Sequence, residues 1–321
     1  MVSLALESNA GFNTFTSIDE FEVGAVIGRG SFGTVVVARH KLKGEVFAIK
    51  IIQKSKIITR GGYNFVKNER EVLGSLRSTF AAEFFGSFQD EKSLYLVQEF
   101  VQGGELFRYL KESGKLTLQQ AKTVCAEITQ FLEDLHVNGI IYRDLKPENI
   151  MISSTGHIKV VDFGFAAYLN KESFTFCGTL DYLSPEMVKK QGHSFEVDWW
   201  TLGILLYELL VGYPPFYSKS FFQTSDKILK NDPIFPQEFD CDAQDLIIKL
   251  LDKNHKTRMT GKDIKTHPFF KDTNWVEVQK CEISPFYTPE IKNDMDTSNF
   301  KSYCKSKHSS SGNTKFSFTG Y

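Results

Sequence analysis

Hydrophobic residues fall into two rhythms along this chain. Between residues 21 and 54, Val, Ile and Phe crowd into short runs broken by glycine: "VIGRGSFGTVVVARH", a turn at "KLKGE", then "VFAIKII". Such runs between turn residues predict strands joined by hairpins. From Tyr63 to Leu76 the period changes, and "YNFVKNEREVLGSL" sets Phe65, Val66, Glu69, Val72 and Leu73 near one face of a helix. A further strand pair ends at "LYLVQEF", and from "ELFRYLKESG" onward the pattern is mainly helical, with the changeover near "FVQGG". The longest apolar segment, "WWTLGILLYELLVGY", contains Glu208 and falls short of the roughly 20 residues of a membrane span, so it predicts a buried helix. A sheet lobe followed by a helical lobe is an α+β architecture. Only residues 301 to 313, "KSYCKSKHSSSGN", look low in complexity and loosely ordered.

One stretch breaks the apolar logic. "IYRDLKPENI" places Arg143, Asp144, Lys146, Glu148 and Asn149 between Ile140, Ile141, Ile150 and Ile152, which look like core. Flanks of that kind predict polar groups held rigidly. Three other features invite chemistry. In "GRGSFG", Gly28, Gly30 and Gly33 leave room for phosphates to approach backbone amides, although the loop reads equally as a glycine hairpin. A dinucleotide fold would need a helix next, whereas "TVVVARH" is strand-like. Lys50 in "FAIKII" has apolar residues on both sides, and a buried ammonium needs a partner. Glu69 is the natural choice, because Glu71 points away if Glu69 faces inward. In "VVDFGFA", Asp162 at a strand end reads as a turn residue. Beside "RDLKPEN" it reads as an oxygen ligand that joins Asn149 on Mg²⁺, while Lys146 neutralises a phosphoryl oxygen and Asp144 accepts a hydroxyl proton.

Strung in order over residues 27 to 200, the glycine loop, "AIK", the helical Glu69, "YRDLKPEN", "DFG", "SPE" and "DWW" resemble the protein-kinase signature set. Tyr142 in place of the usual His, "TFCGTLDYLSPE" and "DWWTLGILLYELLVGYPPF" resemble the AGC group. "DTSNF" at 296 to 300 and the aromatic ending "FTGY" resemble the tail of cyclic-nucleotide-dependent kinases, most closely the catalytic subunits of the cyclic-AMP type. The resemblance implies a bilobal kinase fold. A short extension (1–20) would precede a kinase domain (21–270, lobes meeting near 100), and a tail (271–321) would wrap back on the small lobe.

The resemblance also implies a site for ATP and Mg²⁺. Adenine would lie against "QEFV", with Glu99 and Val101 offering backbone hydrogen bonds. Ile27, Gly28, Gly30, Ser31, Phe32, Gly33, Val35, Ala48, Glu105 and Phe300 would surround the nucleotide. Lys50, held by Glu69, would grip the α/β-phosphates, Asp162 and Asn149 would carry the metal, and Asp144 would orient the substrate hydroxyl. Thr179 would brace Asp144 and Lys146, Glu105, Glu148 and Glu208 would read substrate arginines, and Phe176, Leu180 and Leu183 would receive an apolar residue after the target Ser or Thr. Implied partners are arginine-bearing protein substrates, a cyclic-AMP-binding regulatory subunit and pseudosubstrate inhibitors, in the cytoplasm or nucleus.

The chain departs from this family in several places. Thr175 aligns with the activation-loop phosphorylation site, yet of the positions that meet the phosphate only Arg143 is basic, the others being Phe65, Ala167 and Glu172. A weaker dependence on phosphate is therefore expected. Gln98 replaces an apolar residue at the back of the adenine pocket, where a buried amide needs a partner. "LDY" stands for the usual "PEY" and keeps an acid at Asp181, the tail after Phe300 is basic although Tyr303 fits, and Tyr321 stands where a last Phe is usual.

Composition adds exclusions. With 41% hydrophobic and 24% charged residues and a net charge of −1, nothing global favours nucleic acid or an anionic membrane. Cys125, Cys177, Cys241, Cys281 and Cys304 form no C-x-x-C pair, which argues against disulfides and zinc and for a reducing compartment. "MVSLALESNA" lacks a basic n-region, Val2 stands where myristoylation needs glycine, and Tyr321 does not fit a prenylation box. The 29 Phe have no compositional explanation. Two other readings stay open. One is an AGC kinase independent of cyclic nucleotide, or the kinase domain of a cyclic-GMP-dependent enzyme. The other is a pseudokinase scaffold, against which Lys50, Glu69, Asp144, Asn149 and Asp162 all speak.

Overall fold

A computed structural model describes residues 15–30, 33–60, 62–169 and 172–301. Five antiparallel strands form the small lobe: β1 (Phe21–Arg29), β2 (Gly33–His40), β3 (Val46–Gln53), β4 (Phe84–Gln89) and β5 (Ser93–Glu99), in the order β1-β2-β3-β5-β4. The side-chain period of two sorts β3 between two environments. Phe47 and Ile49 enter an outer cluster with Phe15, Phe21, Phe88 and Tyr95, while Ala48 and Lys50 face the cleft. Phe88 stacks on Tyr95 with centroids 4.6 Å apart, and Phe15 meets the Phe47 ring at 5.6 Å. Part of the unusual phenylalanine content is spent here, sealing the sheet face turned from the helices.

Two helices follow β3: a short α1 (Lys54–Arg60), then α2 (Tyr63–Ser75), which buries Val66, Glu69, Val72 and Leu73 against the sheet. The large lobe is built on α3 (Leu106–Ser113), α4 (Leu118–Val137) and, after the loops that carry the site, α5 (Pro185–Val188) and α6 (Glu196–Val211). Thr117 and Gln120 form a capping box at the start of α4. The segment around Glu208 is the buried helix its composition predicts, since α6 is covered on nearly all sides from Val197 to Leu209. A bidentate pair of Arg258 with Glu186, at 2.7 and 3.0 Å, ties this lobe together from within.

Between the lobes the chain runs through residues 100–104. Gly104 has φ +81°, and a Cβ there would collide with the Asn299 carbonyl, so the crossing needs glycine. The close contact arises because the tail returns over this crossing. Gln102 Nε2 donates to the Asn293 carbonyl at 2.8 Å, Arg108 Nη1 to the Ser298 carbonyl at 2.9 Å, and Arg39 of β2 forms a fork with Asp294 at 2.7 and 2.9 Å. The bilobal α+β fold with a wrapping tail is thus present up to Lys301. Ser31, Phe32, Tyr303, Cys304, "FTGY" and most of the loosely ordered stretch expected from residue 301 lie outside the described residues. Among the described residues no helix is long and apolar enough to cross a membrane, and four cysteines are free.

Candidate active site

A cavity of about 430 Å³ opens between the lobes. Its roof is the β1–β2 hairpin, where the Gly30 N–H donates to the Gly33 carbonyl at 3.0 Å. A strand, not a helix, follows the glycines, so the loop is the hairpin of a sheet and not the turn of a dinucleotide fold. Ile27, Val35, Ala48, Val101, Met151, Val161 and Phe300 line an apolar slot suited to a flat ring. Phe300 stacks on Phe100 with centroids 5.6 Å apart, which fixes the tail at the slot's edge. Glu99 also lines the cavity, and because its N–H is used on the Glu83 carbonyl at 2.8 Å, its backbone has only the carbonyl to offer. Gln98 forms the back wall, and its Nε2 is buried with no hydrogen-bond partner among the described residues.

Under the roof, Lys50 Nζ lies 2.6 Å from Glu69 Oε1 and 2.9 Å from Asp162 Oδ1. The helical phase decides between the two glutamates: Glu69 is 3% exposed, whereas Glu71 turns outward to Lys67 at 3.7 Å. Burial opposes the charge on Lys50, but Asp162 and Glu69 outweigh it and raise its pKa. Burial pushes the Glu69 carboxyl upward against the pull of Lys50, and the Lys50 charge lowers Asp162. Asp162 reaches this position through a left-handed turn, φ +57°, which an aspartate tolerates better than most residues.

The floor is the polar stretch between the isoleucines. Short strands β6 (Ile140–Ile141), β7 (Ile150–Ile152) and β8 (Ile158–Val160) pin it at both ends, and β9 (Ala167–Tyr168) pairs with β6. Lys146 Nζ donates to Asp144 Oδ2 and Thr179 Oγ1, each at 2.8 Å, and Thr179 Oγ1 donates to Asp144 Oδ1 at 3.2 Å. Asn149 Nδ2 donates to the Asp144 carbonyl and to Oδ2, both at 2.8 Å. Burial raises the pKa of Asp144, with Lys146 opposing. Beneath, Tyr142 packs its ring between Phe131 and Phe163, both at 5.5 Å, and donates its hydroxyl to the Val161 carbonyl at 2.7 Å. Asp198, wholly buried at the start of α6, accepts the N–H groups of Tyr142 at 2.9 Å and Arg143 at 2.8 Å.

This arrangement has the donors a hard divalent cation requires. Asn149 uses its amide hydrogens on Asp144, which leaves its oxygen as the atom it can offer, and Asp162 supplies a carboxylate lining the same cavity. A carboxylate and an amide oxygen with room for water and phosphate oxygens suit Mg²⁺.

The other sequence candidates separate into two groups. Glu105 and Glu148 meet at the cavity mouth, and burial together with the Glu148 charge raises the pKa of Glu105. Glu208 is nearly buried, accepts the Tyr182 hydroxyl, and has its pKa pushed up to about 7 by burial, with Tyr182 opposing and Glu148 and Asp181 adding to the rise. Phe176 is exposed and Leu180 half-buried, but Leu183 packs into a cluster with Ile141, Cys177 and Val197, so it supports that surface from below. Thr175 is exposed, and Arg143 reaches Ser173 instead. Sequence reasoning gave no role to Asp198, Ser173 or Tyr182. Only Asp198 had a visible signal, as the acid of the "DWW" stretch.

The protein kinase domain family matches residues 21–270. A Drosophila melanogaster cAMP-dependent protein kinase catalytic subunit is 40% identical over 292 residues, 89% of this chain and 50% of that protein. A human cAMP-dependent protein kinase catalytic subunit is 40% identical over 293 residues, covering 89% of this chain and 82% of the relative. A serine/threonine-protein kinase of Saccharomyces cerevisiae is 40% identical over 305 residues, 93% of this chain and 45% of the relative. The chain thus spans about half the length of the fruit-fly and yeast relatives.

Proposed function

Because the chain belongs to the protein kinase family, within the AGC group and most like cyclic-AMP-dependent catalytic subunits, we propose that it transfers the γ-phosphate of ATP to serine or threonine in arginine-bearing proteins. The observation that carries this reading is the pairing of two charge clusters across one cleft: Lys50 with Glu69 and Asp162 above, Asp144 with Lys146, Asn149 and Thr179 below. ATP would seat its adenine in the apolar slot and its α/β-phosphates on Lys50. Mg²⁺, held by Asp162 and Asn149, would neutralise phosphate charge when bound. Asp144 receives the proton of the substrate hydroxyl as its oxygen attacks phosphorus in line and the bond to ADP breaks. Lys146 faces the developing charge on the transferred group. Phosphoryl transfer asks for little covalent help, so a site that fixes positions and charges is sufficient.

Glu105 and Glu148 at the cleft mouth, with Glu208 behind them, favour a substrate carrying arginines before the target, since guanidinium–carboxylate forks are strong and geometrically selective. Exposed Phe176 with Leu180 favours an apolar residue after it. The test compares R-R-x-S-apolar peptides with acidic ones; equal rates on both would remove the arginine reading and leave the kinase reading intact. Inhibition by a regulatory subunit, if released by cyclic AMP, would select a cyclic-AMP-controlled catalytic subunit. A yeast protein named simply a serine/threonine-protein kinase is as similar, at 40% identity, so a subunit-independent AGC kinase is the second reading, and indifference to the subunit would select it. ATP binding without transfer would select the scaffold.

A further inference from the structure

We propose that Ser173 is a positioning residue of the catalytic loop: its hydroxyl, not a phosphate group, holds Arg143 and through it the backbone that carries Asp144. The proposal rests on the kinase reading above and concerns how that site stays aligned.

Arg143 immediately precedes Asp144 and has φ +69°, a left-handed conformation that a long side chain rarely adopts. Such a residue persists only where its surroundings over-determine it. Here its N–H is held by Asp198 Oδ1, its Nε donates to the Phe165 carbonyl and its Nη1 donates to Ser173 Oγ, each at 2.8 Å. The residue is 5% exposed, so an unmet guanidinium donor would be costly.

Ser173 is itself anchored. Its backbone pairs in both directions with His193, at 2.8 and 3.0 Å, and its hydroxyl oxygen also accepts the Thr175 N–H at 3.3 Å. A serine oxygen has two lone-pair directions, and two N–H donors use them. On the other side, the same segment is joined to α2 by Phe65 against Phe165, an edge-to-face pair with centroids 5.7 Å apart, and by the contact of the Ser75 and Tyr168 hydroxyls. That helix carries Glu69, so the route from Arg143 through the activation segment to the Lys50 pair passes through the Ser173 hydroxyl, the Phe165 carbonyl and the Phe65 ring. None of them needs a phosphate on Thr175.

The full chain is compared as wild type, Ser173→Ala, Ser173→Thr and Thr175→Ala, with steady-state kinetics and hydrogen exchange at the amides of residues 172–176. Loss of a hydrogen bond to a charged group predicts that Ser173→Ala lowers kcat by roughly ten- to a hundredfold at nearly unchanged KM for ATP. Ser173→Thr, which keeps the hydroxyl, restores it, and Thr175→Ala stays within about threefold of wild type. Exchange protection falls in Ser173→Ala alone. The clamp is overturned if Ser173→Ala matches wild type in kcat and protection, or if Thr175 carries phosphate and its alanine variant loses more activity than Ser173→Ala. Should wild type transfer no phosphate, the kinase reading fails separately, and unchanged exchange in Ser173→Ala then decides against the clamp.

Discussion

Lys50 on β3 and Glu69 on α2 meet at 2.6 Å inside the small lobe, so one of the two carboxylates that hold the cleft-facing ammonium, beside Asp162 at 2.9 Å, is placed by a helix. Removing one partner of a buried pair leaves the other uncompensated. Glu69→Gln is therefore expected to lower kcat/KM for ATP by roughly ten- to a hundredfold. Glu71→Gln, which breaks only an exposed pair with Lys67, should leave kinetics unchanged. Steady-state kinetics on the two variants checks this, and equal effects would show that the Lys50 pair does not align the site.

Tyr182 and Glu208 predict a pH dependence. Glu208 titrates at about 7 in the fold, above its ordinary value of 4.5. Since the folded state favours the protonated acid, Glu208 costs no stability below about 4.5 and its full penalty is present above about 7. Arginine binding has the opposite sign, because it needs the carboxylate. KM for an arginine peptide is expected to rise by up to roughly tenfold per unit as pH falls below about 7. In Glu208→Gln that dependence should disappear. A KM flat across this range in wild type would contradict a role for Glu208 in reading arginine.

Gln98 offers a stability test. Its Nε2 is buried without a partner among the described residues, at a position flanked by Ala48 and Phe84 on the neighbouring strands. Gln98→Met removes that unpaired donor and is expected to stabilise the protein by about 1 kcal/mol, raising Tm by about 2–4 °C. Thermal unfolding decides, and a lower Tm would mean that the amide finds a partner in solution.

Much of this was legible in the residues, for identifiable reasons. The apolar neighbours of Lys50 called for a partner to its ammonium, the helical period separated Glu69 from Glu71, and the isoleucines around residues 141–150 announced a pinned loop. What stayed hidden depends on contacts distant in sequence. Asp198 reaches the amides of Tyr142 and Arg143 from 56 and 55 positions away, and Arg143 finds Ser173 30 residues on. No local periodicity encodes such contacts. Leu183 reads in the sequence as part of a substrate surface, and the structure buries it beside Ile141 and Cys177, because an apolar residue in a loop carries no mark of how deeply it sits. The outer aromatic cluster explained phenylalanines that composition could only count.

Asp144 is the group to which the proton of the substrate hydroxyl is assigned. Phosphate transfer from ATP·Mg²⁺ to an arginine-bearing serine peptide should be readily measured for the wild-type chain. In Asp144→Ala it should fall by about 10²–10⁴-fold while ATP binding persists. A variant that turns over at the wild-type rate would contradict the assignment of the hydroxyl proton to Asp144, and a wild-type chain that binds ATP without transferring phosphate would contradict the kinase reading as a whole.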